Sequence, residues 1–195
     1  YDIVLAVDLS GSMRALDFAT KESMVNRLDV AKDVVSDFVL DRESDRVGLV
    51  LFGDYAYQYA PLSQDTQAIA KMLQQTVTSM AGDGTAIGDA IGLSVKALRN
   101  RAEGSRIIIL LTDGEDTASS IPPPQAAKLA QDYGIKIYTI GIGSNGLVPY
   151  PDQYGQIVMA QMRLDEKLLQ QIADTTGGKY YRTTDPQALK KVYEE

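Results

Sequence analysis

The sequence predicts an α/β sandwich of three layers, with a mostly parallel central sheet, one antiparallel edge strand and helices on both faces. Three observations carry this. Residues 3–7, 47–52, 107–111 and 135–140 are short runs rich in Ile, Val and Leu, bounded by polar or glycine residues, as strands buried on both faces are. Segments with apolar residues at helical spacing lie between those runs, which implies right-handed crossovers and ligands at the carboxyl ends of the strands. Residues 55–60 follow residues 47–52 after only Gly53 and Asp54, too short a link for a parallel crossover, so the two runs form a hairpin.

In chain order, the first strand runs into the turn Asp8-Leu9-Ser10-Gly11-Ser12. Residues 14–26 mix charge with scattered apolar side chains and read as a loop insertion. The first helix follows, with Leu28, Ala31, Val35 and Phe38 on one face. Ile87, Ala90, Ile91, Val95 and Leu98 mark a second helix, and Ala126, Ala127 and Ala130 a third. Residues 147–162 carry Pro149, Pro151 and Gly155 between apolar patches and read as a second insertion, a hairpin turning at about residues 153–155. Asp165 caps a helix over residues 165–173 that stops at Gly177-Gly178, residues 179–182 form a last strand, and Asp185-Pro186 opens a final helix. The organisation expected is one domain over residues 1–195.

Composition narrows the chemistry. The 19 Lys and Arg against 26 Asp and Glu give a net charge of -7, with no basic cluster, which disfavours a nucleic-acid partner. The absence of Cys removes thiol nucleophiles and zinc-thiolate sites; the absence of His removes Ser-His-Asp, Cys-His and His-zinc chemistry. No apolar run is long enough to cross a membrane. Tyr1 starts inside a strand, so the expectation is a soluble piece of a longer protein whose anchor lies outside this chain.

Three loops place oxygen-bearing side chains at the carboxyl edge of the sheet. Asp8, Ser10 and Ser12 lie after the first strand, Thr85 lies in Gly82-Asp83-Gly84-Thr85 before a helix, and Asp113 follows the strand over residues 107–111. Two carboxylates and three hydroxyls are hard donors suited to Mg2+ or Mn2+, with Ca2+ also admissible and one coordination position left open. Taken separately, the same residues have plain structural readings: helix N-caps and serine turns for Ser10, Ser12 and Thr85, and an Asx turn for Asp113.

The set Asp-x-Ser-x-Ser, distant Thr and distant Asp resembles the metal-ion-dependent adhesion site of von Willebrand factor A domains at all five positions, and the resemblance covers essentially the whole chain. It implies that Ser10, Ser12 and, in the ligand-bound state, Thr85 bind the metal directly, while Asp8 and Asp113 act mostly through waters. It implies further that the ion takes an Asp or Glu carboxylate of a protein partner. The segment over residues 13–28, with Asn26-Arg27-Leu28, and the stretch from Asp165-Glu166 through Thr176-Gly177-Gly178-Lys179-Tyr180-Tyr181 are similar to the bacterial Bat aerotolerance branch. That likeness implies a membrane-anchored bacterial protein, with the periplasmic side favoured, acting with other Bat proteins or a MoxR-type AAA+ ATPase.

Two competing motifs are present. Gly141-Ile142-Gly143-Ser144-Asn145-Gly146 fits a dinucleotide fingerprint, but Leu147-Val148-Pro149 follows where a helix N-terminus is required, so these glycines read as a turn. Asp8 after a first strand also suggests the aspartyl nucleophile of a haloacid-dehalogenase-type phosphotransferase using Mg2+; that chemistry wants a second Asp where this chain has Ser10. A non-enzymatic binding module is the expectation. Tyr55, Tyr57 and Tyr59 read as packing residues of the edge strand; Tyr150 and Tyr154 read first as packing residues and, in a second reading, as part of a partner-binding rim; Glu115 and Asp116 read equally as a solvated acidic loop or as added negative charge beside the site.

Overall fold

The computed structural model describes residues 1–183; the helix expected from Asp185-Pro186 lies outside them. Strand β1 (Asp2–Asp8) is buried along its whole length and is the centre of the fold. Because successive strand side chains point to opposite faces, Ile3, Leu5 and Val7 enter one apolar cluster and Val4 and Ala6 the other. The first cluster lies under α1 (Arg27–Leu40) and α2 (Thr66–Gln74), the second under α3 (Ile87–Leu98), α4 (Pro123–Asp132) and α5 (Glu166–Thr176). Leu5 is 1% exposed, and truncating a side chain so placed costs about 2–5 kcal/mol.

The six-stranded sheet has the order β3-β2-β1-β4-β5-β8, formed from β2 (Arg46–Phe52), β3 (Ala56–Ser63), β4 (Arg106–Thr112), β5 (Lys136–Ile142) and β8 (Tyr180–Thr183). All neighbours are parallel except β2 and β3, so the edge hairpin stands where the short Gly53-Asp54 link requires it. Tyr57 and Tyr59 on β3 lean on the first core cluster. From β1 the chain crosses through α1 to β2 on one side; from β3 it crosses through α3 to β4 on the other. The order therefore reverses between β1 and β4, and a crevice opens at their carboxyl ends, where Asp8 and Asp113 lie.

The helix ends follow from local chemistry. Asn26 accepts the Asp29 backbone N–H at 2.8 Å while the Asp29 carboxylate accepts the Asn26 N–H at 3.1 Å, a reciprocal cap that starts α1. Ala86 has no side chain able to cap α3, so the β4–α4 loop does it: Ile87 N–H donates to Asp116 at 2.9 Å and Gly88 N–H to the Ser119 hydroxyl at 2.8 Å. Asp116 is thus a structural acceptor for the start of α3. Asp165 caps α5, which runs one turn-end further than expected before Gly177 closes it at φ 80°.

Helix α2 is an element that the apolar pattern did not flag. The segment over residues 14–26 is not a surface appendage, since Ala15 and Phe18 are buried in the first cluster. Residues 147–162 form the expected hairpin, β6 (Gly146–Pro151) against β7 (Ile157–Met162), outside the main sheet. Gly143 and Gly146 have φ 95° and 99°, and β6 follows, so the glycine run is a strand-to-strand turn. Among the described residues, no helix is long and apolar enough to cross a membrane.

Candidate metal centre

The parallel register aligns Val7 with Leu111, which sets Asp8 beside Thr112 and brings Asp113 over the turn that follows β1. Asp8 is buried and its two oxygens are divided. Oδ1 accepts the Ser10 N–H at 2.7 Å, and Oδ2 accepts the Thr112 hydroxyl at 2.7 Å and the Asp113 N–H at 3.4 Å. Asp8 thereby shapes its own turn and ties it to β4. The Ser12 hydroxyl donates to Asp113 Oδ1 at 2.7 Å. Its single proton is spent there, so the Ser10 hydroxyl, 2.9 Å away, donates to Ser12. Ser10, Ser12 and Asp113 thus form one continuous chain of side-chain oxygens, braced by Asp8.

Thr85 is also buried at this edge. Its backbone N–H donates to the Thr117 hydroxyl at 3.0 Å and its carbonyl accepts from Thr117 and Ala118, which fixes the residue through its main chain. Its hydroxyl lies beside Gly114, 3.7 Å from where a Cβ would stand. The loop carrying it is pinned by Asp54, whose Oδ1 accepts the Gly84 N–H at 2.7 Å.

The electrostatics explain what the arrangement can hold. Burial, with the Asp113 charge adding to it, pushes the Asp8 carboxyl up from 3.8 to about 7, against the lowering effect of the Ser10 and Thr112 hydrogen bonds. A cation at this edge would offset that charge. Among the described residues no three acidic groups gather closely enough to cage an ion alone, so any ion here is bound by a mixed set of hydroxyl and carboxylate oxygens. With no nitrogen or sulfur donor in the set, the residues fit a hard divalent cation that keeps some of its waters.

Two further side chains belong to the neighbourhood and were not among the expected site residues. Arg27, 1% exposed, donates through Nη1 to Asp113 Oδ2 at 2.8 Å, and through Nε and Nη2 to the two oxygens of Asp17, each at 2.8 Å. Burial works against the Arg27 charge, but its bonds to Asp17 and the Asp113 charge outweigh it and hold the proton more tightly. The same pairing overrides burial at Asp17 and keeps its carboxyl below the usual range. One signal was readable: Arg27 is the first residue of α1, where the helix dipole disfavours a cation, so a partner had to be near.

The β6–β7 hairpin is fastened to the same edge. Pro149 O accepts the Leu16 N–H at 2.7 Å, and the Tyr150 hydroxyl donates to Gly11 O at 2.8 Å, inside the Asp8–Ser12 turn. Cross-strand pairing places Leu147, Pro149, Pro151, Ile157 and Met159 on one face. Leu147, Ile157 and Met159 are 64%, 55% and 59% exposed, so that face is apolar and open, while Val148 on the opposite face is buried.

The sequence model of the von Willebrand factor type A domain matches residues 2–195. The chain belongs to the von Willebrand factor type A domain family. This VWA chain is similar to BatB from Bacteroides thetaiotaomicron, at TM-score 0.82 and 28% identity over 99% of this chain and 95% of that one. It is comparably similar to an aerotolerance-related membrane protein from Bacteroides fragilis, at TM-score 0.81 and 28% identity over 99% and 96% of the two chains. A mussel byssus matrix protein with a zinc-occupied MIDAS motif shares the fold at TM-score 0.73 and 22% identity, over 99% of this chain and 43% of that one. Among curated relatives, an uncharacterized protein of Borreliella burgdorferi is 33% identical over 188 residues, 94% of this chain. The chain spans 54% of that relative's length. VWA domains are in general protein-interaction modules.

Proposed function

We propose that this VWA domain binds a divalent cation through Asp8, Ser10, Ser12, Thr85 and Asp113 and uses it to hold an Asp or Glu carboxylate of a protein partner. The observation that carries the reading is the unbroken run from Ser10 through Ser12 to Asp113 at 2.9 and 2.7 Å, with Asp8 behind it at the sheet's switch point. Hydroxyls dominate the set, so a bound ion keeps much of its charge, and an incoming carboxylate completes the neutralisation. Mg2+ is the ion best suited to such a site in cells, with Mn2+ and Ca2+ as substitutes. The open apolar face of the β6–β7 hairpin, tied to the metal turn through Tyr150, adds the area that a single carboxylate contact lacks. The partner surface is accordingly an acidic side chain set beside apolar residues.

The likeness to Bacteroides Bat-type proteins supports a role within a membrane-associated bacterial assembly, with other Bat proteins or a MoxR-type AAA+ ATPase as partners and the domain on the periplasmic side. The phosphotransferase reading of Asp8 gains no support, because the residue two positions on, Ser10, spends its hydroxyl on Ser12. The test is retention of the chain on a resin bearing glutamate-containing peptide in the presence of Mg2+. Elution by EDTA and failure to bind the glutamine counterpart are expected; retention indifferent to both would refute the reading.

A further inference from the structure

Beside the candidate centre lies a cation that belongs to the protein itself, the buried guanidinium of Arg27. Arg27 reaches Asp113 Oδ2 at 2.8 Å on one side and grips Asp17 with two bonds of 2.8 Å on the other. Asp17 in turn accepts the Ser144 N–H at 2.8 Å, and Arg27 donates to Ser144 O at 3.4 Å. A Cβ added at Gly143 would run into the guanidinium, so the β5–β6 turn closes directly over Arg27 and keeps water from it. Three loops therefore converge on one buried positive charge that is a single hydrogen bond away from a carboxylate of the site.

We propose that Arg27 and Asp17 are a charge-setting pair, in which Arg27 positions Asp113 and weakens cation binding while Asp17 offsets that charge and strengthens it. The inference rests on the metal-binding reading above. Arg27 occupies Asp113 Oδ2, which leaves Oδ1 turned to Ser12 and fixes the carboxylate plane. Its charge acts on the ion through protein rather than solvent, since the Arg27 and Asp113 side chains are 1% and 0% exposed. Asp17, 6% exposed and on the far side of the guanidinium, cancels part of that field. Neither side chain of the pair needs to touch the ion. A pair that served only to hold the loops would loosen the centre whichever member was lost. A charge-setting pair gives opposite signs instead.

The experiment measures the Mn2+ dissociation constant of the full chain, by electron paramagnetic resonance at low ionic strength, for wild type, Asp17→Asn, Arg27→Met and the double variant. Asp17→Asn is expected to weaken Mn2+ binding by on the order of tenfold, Arg27→Met to tighten it by a similar factor, and the double variant to return close to wild type. Weakening in both single variants, while wild type still binds, overturns the charge-setting role and leaves the metal site standing. A wild-type chain that binds no Mn2+ overturns the metal reading and this inference with it. Should Arg27→Met fail to fold, Asp17→Asn decides alone: Mn2+ binding that is unchanged or tighter refutes the proposal.

Discussion

Replacing Asp8 by Asn is expected to stabilise the metal-free protein and to remove its response to divalent cations. In the folded state the Asp8 carboxyl keeps its proton up to about pH 7, whereas in the unfolded chain it titrates near 3.8. The folded state therefore binds the proton more tightly, and stability falls as pH rises between those two values. The cost of ionised Asp8 is absent below about pH 4 and complete above about pH 7. That interval is worth about 4 kcal/mol, at about 1.4 kcal/mol per pH unit. Asn keeps an acceptor for the Ser10 N–H but meets the Thr112 hydroxyl with an N–H, which loses a bond of 2.7 Å and costs about 1–2 kcal/mol. The net gain is about 2–3 kcal/mol above pH 7, or about 4–12 °C in melting temperature for a chain of this size. Thermal denaturation in EDTA at about pH 8 and about pH 4 reads it, with the advantage gone at the lower pH. Mg2+ at about one hundred times its dissociation constant adds about 2.7 kcal/mol to wild type and almost nothing to the variant, so the two curves converge. An Asn variant that melts at or below wild type in EDTA at about pH 8 would show that Asp8 is held by its hydrogen bonds alone and would refute the reasoning.

Two further outcomes are expected. Thr85→Ala is expected to cost about 1 kcal/mol of stability for its lost methyl group and, if the proposed site uses its hydroxyl, to weaken Mn2+ binding several-fold by calorimetry; unchanged affinity would remove Thr85 from the ligand set. Gly88→Ala drives a Cβ into the Ile121 carbonyl at the α3–α4 contact and lowers urea stability by at least about 2 kcal/mol, whereas Gly104→Ala, with φ 83° and nothing within 4 Å, costs only its backbone strain of about 1 kcal/mol.

The sequence made the strands legible because β1, β2, β4 and β5 are buried on both faces and read as unbroken apolar runs. It made the five oxygen-bearing residues legible as three loops at one sheet edge, since each lies directly after a strand or before a helix. Which parallel strands are neighbours was not readable: that β1 separates β2 from β4 is set by crossovers packed in three dimensions, and no local pattern records it. Helix α2 escaped because it is nine residues long, with Ile69, Ala70 and Leu73 its only buried apolar residues. Arg27 and Asp17 escaped for a different reason. The two carboxylates that Arg27 meets, Asp17 and Asp113, are 10 and 86 residues from it in the chain and lie in irregular segments, where periodicity carries no information.

The charge balance of these side chains by themselves accounts for how such a centre is compatible with a stable fold. Two carboxylates meet at one sheet edge, yet neither is left to repel the other unopposed: Asp113 is paired with Arg27, and Asp8 is driven by burial toward its neutral form. A site built from acidic groups alone would have to expel charge or unfold when its ion left. Here the hydroxyls of Ser10, Ser12 and Thr85 supply donors that carry no charge, so they can bind a cation without repelling one another when it is absent. In the proposed function, the same choice of donors would leave a bound ion short of negative charge, the condition under which it would recruit a carboxylate from outside. On that proposal, stability without the ion and affinity for a partner with it would come from one choice of residues.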